Sequence, residues 1–321
     1  MAGDALIRGF QEKDAAAIAR LRIAVNPHRI ETAETVWHRA TCAIERARRR
    51  EWVAEIGGDV VGHASAGFEW SVPTPGKAWF WIGVHPERRG RGIGGGLYEL
   101  VEGYLRGEGA WRLRSWVDDD PDGERFLVRR DFQRRGSDWV SSVDPRRVDV
   151  SQLPRLEAAT AAGGFRLVPL GEVRHRVHGL FEVCAAGERD MPSDEPETEL
   201  DLESWKRDEL DVPTLSDEGS FVALARERPV SLALVSVDPE RKLAYNQMTA
   251  TLPEYRRRGL ALLVKLAAAR WAAEAGIERL LTENDVDNVG MLAINERLGY
   301  RPLYEQRFWV LEGERPPGER G

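Results

Sequence analysis

One seven-residue pattern occurs twice in the chain. Pro86-Glu87-Arg88-Arg89-Gly90-Arg91-Gly92 and Pro253-Glu254-Tyr255-Arg256-Arg257-Arg258-Gly259 both read Pro-Glu-x-Arg-x-Arg-Gly, 167 residues apart. Each copy leaves a strand-like apolar run and opens a helix-like one. The surroundings repeat at the same spacing, Gly109 with Gly276, Leu113 with Leu280 and Asp118 with Asp285, before Phe132 answers Tyr300 at 168. A period this long, kept through several elements, predicts two copies of one mixed α/β domain. The length of 321 residues is comfortable for two such cores. A basic, glycine-bearing turn that opens a helix is also a place to hold phosphate. The first N–H groups of a helix lack partners within it, and its dipole favours an anion there.

Composition narrows the classes. A net charge of −7 disfavours broad binding to nucleic-acid phosphates, so the loop arginines are better assigned to one small anion each. No apolar run approaches the roughly 18–20 residues of a membrane span. The first residues show no basic region followed by an apolar one, so neither a signal peptide nor a membrane partner is expected. Cys42 and Cys184 fall in no metal-ligand pair, which suits a reducing compartment, and the cytoplasm is the expected location. His175-x-x-His178 has near-helical spacing for two ligands but lacks a third, so no metal is expected.

The pattern of apolar residues predicts a strand over 5–10, a helix capped by Asp14, and a second helix over 33–50. That second helix ends in Arg46, Arg48, Arg49 and Arg50, read as a solvated face that complements its C-terminus. A hairpin over 51–56 and 59–68 turns at Gly57-Gly58. Strand 78–84 enters the first loop, helix 94–107 leaves it, and strand 111–117, helix 124–130 and strand 137–143 follow. The second copy reads strand 165–170, helices 172–186 and 200–209, strands 220–225, 230–237 and 242–251, helix 260–275, strand 279–282, a polar turn 284–288, helix 289–298 and strand 304–311. The repeat sets the expected domains at 1–145 and 164–312, with a linker over 146–163, a loop over 191–199 and a disordered tail over 313–321.

A nucleotide-triphosphatase loop needs a Lys-Ser/Thr pair after its last glycine, which neither copy has. A dinucleotide-binding Rossmann loop needs an opening βαβ unit, whereas hairpins precede both copies here.

The loops instead resemble the pyrophosphate loop R/Q-x-x-G-x-G/A of the GCN5-related N-acetyltransferase (GNAT) family. The matching residues are Arg89-Gly90-Arg91-Gly92-Ile93-Gly94 and Arg256-Arg257-Arg258-Gly259-Leu260-Ala261. Thr282 to Tyr300 is similar to a pattern, T-x-N-x-x-x-N-x-x-M-L-x-x-N-x-x-L-G-F/Y, of tandem acetyltransferases akin to mycothiol synthase. The resemblance covers nearly the whole chain. It implies two tandem domains, each a mixed, mostly antiparallel sheet flanked by helices.

The resemblance further implies acetyl-CoA as donor, held by the two loops, with the splayed strand ends at Val84 and Thr251 along its pantetheine arm and Asn288 bonded to that arm. The implied activity is acyl transfer to the primary amine of a small molecule, by direct attack. Two alternatives are a mycothiol synthase-like acetyltransferase of thiol biosynthesis and a non-catalytic acyl-CoA-binding module. The chain departs from the family where many members carry a thiolate-protonating tyrosine, having Asn295 and, in the first copy, Leu127. The first copy also has Val117 and Pro121 opposite Asn284 and Asn288, which makes the second copy the expected catalyst. Strand alternation places Tyr245, Gln247, Thr249 and Thr251 on one face, offering Tyr245 for proton transfer or packing. Glu283, at the end of the next strand, is the candidate general base.

Overall fold

The computed structural model describes residues 5–72, 74–190 and 201–315. The expected loop over 191–199 and most of the expected tail lie outside them. Twelve strands are found among the described residues: β1 (Leu6–Gly9), β2 (Arg50–Ile56), β3 (Asp59–Phe68), β4 (Lys77–Val84), β5 (Arg112–Asp118), β6 (Gln133–Val143), β7 (Phe165–Pro169), β8 (Phe221–Ala225), β9 (Arg228–Asp238), β10 (Leu243–Thr251), β11 (Arg279–Asp285) and β12 (Arg301–Glu312). The α-helices are α1 (Ala15–Val25), α2 (Ala33–Thr41), α3 (Ile93–Gly107), α4 (Pro121–Val128), α5 (Leu153–Ala162), α6 (Leu170–Val173), α7 (Val177–Glu188), α8 (Leu202–Trp205), α9 (Leu260–Glu274) and α10 (Val289–Arg297).

The chain divides into two compact units that are not contiguous stretches. The first holds residues up to Ser137 and from Gln306 onward; the second holds 138–190 and 201–305 of the described chain. In the first, the strands run in the order β1-β2-β3-β4-β5-β12, antiparallel except where β4 and β5 lie parallel. In the second the order is β7-β8-β9-β10-β11-β6, again with one parallel pair, β10 and β11. Each unit therefore takes its last strand from the other repeat. Gln306–Glu312 pairs with Asp118–Arg112, and Asp138–Val143 pairs with Asp285–Leu280. Compactness follows strand pairing, whereas the repeat-based ranges follow sequence order, so the two divisions differ. The stretch expected as a linker includes α5, whose Leu153 is buried in the second unit and which lies against α9.

The central helices follow from their apolar spacing. Ile93, Leu97, Val101 and Leu105 recur every fourth residue and form the buried stripe of α3, packed on Ala64, Ala66 and Phe80. Burying each such leucine is worth roughly 1.5–3 kcal/mol. Helix α9 is apolar nearly all round and correspondingly buried, from Leu260 to Ala272.

Several local expectations are corrected. The helix expected over 33–50 begins at Ala33, where Thr32 caps it, but stops at Thr41; a separate turn follows over Glu45–Ala47, and Arg50 already belongs to β2. Its arginines lie beyond the helix with other partners: Arg46 over the Trp70 ring, Arg48 with Glu108 and over the Phe68 ring, Arg49 with Glu51 and over the Trp79 ring, and Arg50 over the Tyr104 ring. Asp14 does not cap α1 with its side chain; it takes the Arg8 guanidinium at 2.7 Å and the Gln11 N–H at 2.9 Å. Helix α4 begins at Pro121, since the Asp120 carboxylate caps it there. The helix expected over 172–186 breaks between α6 and α7. Asn284 and Asp285 lie within β11 rather than in a turn. No helix among the described residues is long and apolar enough to cross a membrane.

Candidate functional site

The two loops have nearly the same backbone. Arg89 (φ −65°, ψ 163°) matches Arg256 (φ −66°, ψ 164°). Gly90 at φ +75° is followed two residues later by Gly92 at +82°; Arg257 at +58° is followed by Gly259 at +79°. The left-handed residues turn the chain back so that Gly92 and Gly259 open α3 and α9. Neither helix start carries a side-chain cap. No side-chain oxygen therefore takes the first N–H groups of α3 or of α9, those of Ile93 and Gly94 and of Leu260 and Ala261. An uncapped first turn of this kind fits the pyrophosphate of an acyl-CoA.

The first arginine of each motif has a structural duty. Arg89 Nε donates to the Val84 carbonyl at 3.3 Å, and Arg256 Nε to the Thr251 carbonyl at 3.1 Å. Each is braced by a carboxylate, Asp120 at 3.0 Å from Arg89 and Asp190 on Arg256. These arginines fasten the loop to the strand end. Arg91, Arg257 and Arg258 are exposed on the loops, the last donating to the Glu254 carbonyl at 3.3 Å.

The strands part just before each loop. Pairing of β4 with β5 ends at Trp79–Arg114, although β4 continues to Val84. Pairing of β10 with β11 ends at Asn246–Thr282, although β10 continues to Thr251. Beyond Asn246 the β11 side of β10 is unpaired, while Met248–Thr251 stays paired with β9 and leads directly into the second loop.

At this parting the second unit carries a polar pair. Tyr245 Oη donates to Glu283 Oε2 at 2.6 Å, with both side chains half-buried. The expected face shared by Tyr245 and Thr249 does not survive. A bulge between Asn246 and Met248 resets the alternation, and Thr249 Oγ1 turns to Asn246 Oδ1 at 2.9 Å. Asn288 caps α10, its Oδ1 accepting the Met291 N–H at 3.2 Å. Asn295 donates to Asn284 Oδ1 at 2.6 Å, so the residue at the tyrosine position is tied to the end of β11.

In the first unit the corresponding strand end is filled by the unit's own side chains. Asp118 accepts from Asn26 Nδ2 at 2.7 Å, from Gln306 Nε2 at 2.6 Å and from the Arg29 guanidinium at 3.0 Å. Burial alone would raise its pKa; the Arg29 charge and these donors hold it below the usual value. A pocket of about 410 Å³ in this unit, lined among others by Arg20, Asp59, His85 and Arg88, adjoins the start of the loop but includes none of Arg89–Gly94.

Sequence reading missed one group, Lys265, which is buried in α9 and donates to Asn246 at 2.8 Å. The signal was a single lysine in the apolar run Leu262-Leu263-Val264-Lys265-Leu266-Ala267.

Known structures share the fold. A tandem GNAT protein from the clavulanic acid biosynthesis pathway, without AcCoA, superimposes with a TM-score of 0.71 at 21% identity, covering 97% of this chain and 99% of that one. A GCN5-related N-acetyltransferase from Sphaerobacter thermophilus gives 0.63 at 15% identity, covering 97% and 96%. A putative acetyltransferase from Pyrococcus horikoshii gives 0.57 at 13%, covering 98% and 91%. The family model described as Acetyltransferase (GNAT) family matches twice, over residues 18–132 and 182–300. With the family model matched once in each half, the chain belongs to the GNAT family of acyl-CoA-dependent acetyltransferases, as a tandem of two GNAT domains.

Proposed function

We propose that the second unit transfers an acetyl group from acetyl-CoA to the primary amine of a small molecule. The observation that carries this reading is the Tyr245–Glu283 hydrogen bond at the parting of β10 and β11. Leu260 and Ala261 N–H groups hold the pyrophosphate, and the backbone of Gln247–Thr251 lines the arm. The amine nitrogen attacks the thioester carbonyl carbon directly. The C–N bond forms, the C–S bond breaks, and its electron pair leaves on the CoA sulfur. Backbone N–H groups at the parting polarise the carbonyl as charge develops on its oxygen. Glu283 takes the amine proton on Oε1, while Tyr245 steadies the other carboxylate oxygen. Asn288 remains near the arm as helix cap and candidate donor. A thiol-precursor amino sugar is one acceptor that this reading admits.

For the first unit we propose acyl-CoA binding without transfer. At the repeat spacing of 167, Tyr245 and Glu283 correspond to Ala78 and Trp116, which can neither accept nor relay a proton. The Asp118 cluster occupies the end of β5 as well. Release of CoA thiol from acetyl-CoA, followed with a thiol reagent across an amine panel that includes an amino-sugar conjugate, tests both readings. Tight CoA binding with no turnover for any amine would leave only the binding-module reading.

A further inference from the structure

Behind the parting of β10 and β11 lies a buried lysine, Lys265. Lys265 is 2% exposed and makes no ion pair among the described residues. Its Nζ donates to Asn246 Oδ1 at 2.8 Å and stands 5.4 Å from the centre of the Tyr300 ring. A leucine would serve the packing of α9 without the cost of burying an ammonium group.

The acceptor of this bond is fully committed. Asn246 Nδ2 donates to the carbonyls of Met248 at 2.8 Å and Leu234 at 3.2 Å, while Oδ1 also receives Thr249 Oγ1 at 2.9 Å. Its backbone carbonyl accepts from Thr282 Oγ1 at 3.3 Å. Asn246 is the last residue of β10 paired with β11, and the β10–β9 ladder slips immediately after it. The side chain thus bonds across the bulge and on both sides of the strand's departure.

The first unit provides an internal comparison. Tyr98 stands 167 residues before Lys265 and packs edge-on against Phe80, Phe126 and Phe132. The β3–β4 ladder there runs without a register shift. Lysine and bulge occur together in the second unit, whereas the matching helix position and the matching ladder of the first unit have neither.

We infer that Lys265 is a positioning residue for acyl transfer, acting through Asn246 to hold the bulge and hence the Gln247–Thr249 backbone that faces the thioester. This rests on the acetyltransferase reading of the second unit. The ammonium group meets Asn246 Oδ1, which Thr249 also bonds, and the phenol of Tyr300, which burial keeps neutral; among the described residues no carboxylate is paired with it. Burial holds the Lys265 pKa down to about 7, so its charge changes near neutral pH. The ammonium is the stronger donor to Asn246, and the clamp loosens as pH rises.

Hydrogen exchange on the full chain tests the clamp without requiring turnover. Lys265→Met is expected to speed exchange at 246–249 by about tenfold or more, leaving other β10 amides unchanged. In the transfer assay it is expected to lower kcat about 10–100-fold with acetyl-CoA KM within about threefold, and to remove an ionisation near pH 7 from the kcat profile. Unchanged exchange, or kcat within twofold of the parent with the same profile, overturns the inference. Should the variant not fold, the unaltered chain carries the test. Corrected for intrinsic rates, exchange at 246–249 must be faster at pH 8.5 than at pH 6, and equal protection overturns the clamp. If the unaltered chain acetylates no amine, the acetyltransferase reading falls, and exchange alone decides whether Lys265 positions this backbone.

Discussion

Tyr245 on β10 and Glu283 on β11 meet through a 2.6 Å hydrogen bond although 38 residues separate them in the chain. If Glu283 takes the amine proton, Glu283→Gln lowers kcat/KM by about 10²–10³ while acetyl-CoA still binds. Tyr245→Phe removes one charge-assisted bond and costs roughly tenfold. Steady-state kinetics beside calorimetric CoA titration separates the two effects. A fully active Glu283→Gln enzyme would remove Glu283 from the mechanism.

Both loops are read as acyl-CoA sites, so the full chain should bind two CoA molecules. Gly259→Glu puts bulk and negative charge at the second helix start and is expected to abolish turnover together with one binding event. Gly92→Glu removes the other binding event. Both glycines have φ near +80°, and a Cβ on Gly259 would approach Leu156 Cδ1 at 3.2 Å, so each variant's thermal unfolding must be followed in parallel. Stoichiometry unchanged in a folded Gly259→Glu chain would sink the loop assignment.

The loops also differ in a way that stability measurements can read. Arg257 holds a left-handed conformation, φ +58°, that Gly90 occupies in the other copy at +75°. Arg257→Gly relieves roughly 1–2 kcal/mol of strain against about 0.5–1 kcal/mol of chain entropy, so it should be neutral to mildly stabilising. Gly90→Ala meets no atom within 4 Å yet should cost about 1 kcal/mol through its backbone alone. Urea unfolding distinguishes the signs; a destabilised Arg257→Gly chain would mean that the arginine side chain is doing structural duty.

Acid stability should be set largely by the first unit. Burial would push the Glu31 carboxyl up, but the Arg39 and Arg22 charges overcome it and hold its pKa at about 2. Because the folded value lies below the unfolded one, this stabilisation is complete above about pH 4.5 and is lost as pH falls toward 2. It amounts to something on the order of 3 kcal/mol at neutral pH. Glu31→Gln should therefore be markedly less stable at pH 7 and nearly equal to the parent near pH 2. Parallel stability–pH curves for the two chains would contradict this.

A fragment over 164–312, the extent of the second repeat, omits Asp138–Val143 and α5. It leaves the β11 edge unpaired and should aggregate more readily than a fragment over 138–305. Sedimentation and cooperative urea unfolding of the two fragments make the comparison.

The sequence by itself determined the duplicated domain, its mixed sheets and the two helix-opening loops. Those features are local: glycines at fixed offsets set the turn, and apolar periodicity sets strand or helix. Asp14 stands at the start of α1 without capping it, and α4 begins three residues before its expected start, because capping depends on which side chain reaches which N–H; the helix after Thr32 ends at Thr41 rather than at residue 50. Only the tertiary structure decided that Gln306–Glu312 completes the first unit and Asp138–Val143 the second, since strand partners are chosen by distant edges. It likewise turned Thr249 away from Tyr245. One extra residue in β10 reverses the face of everything after it, and that residue is set by Asn246, Thr282 and Lys265 from three separate elements.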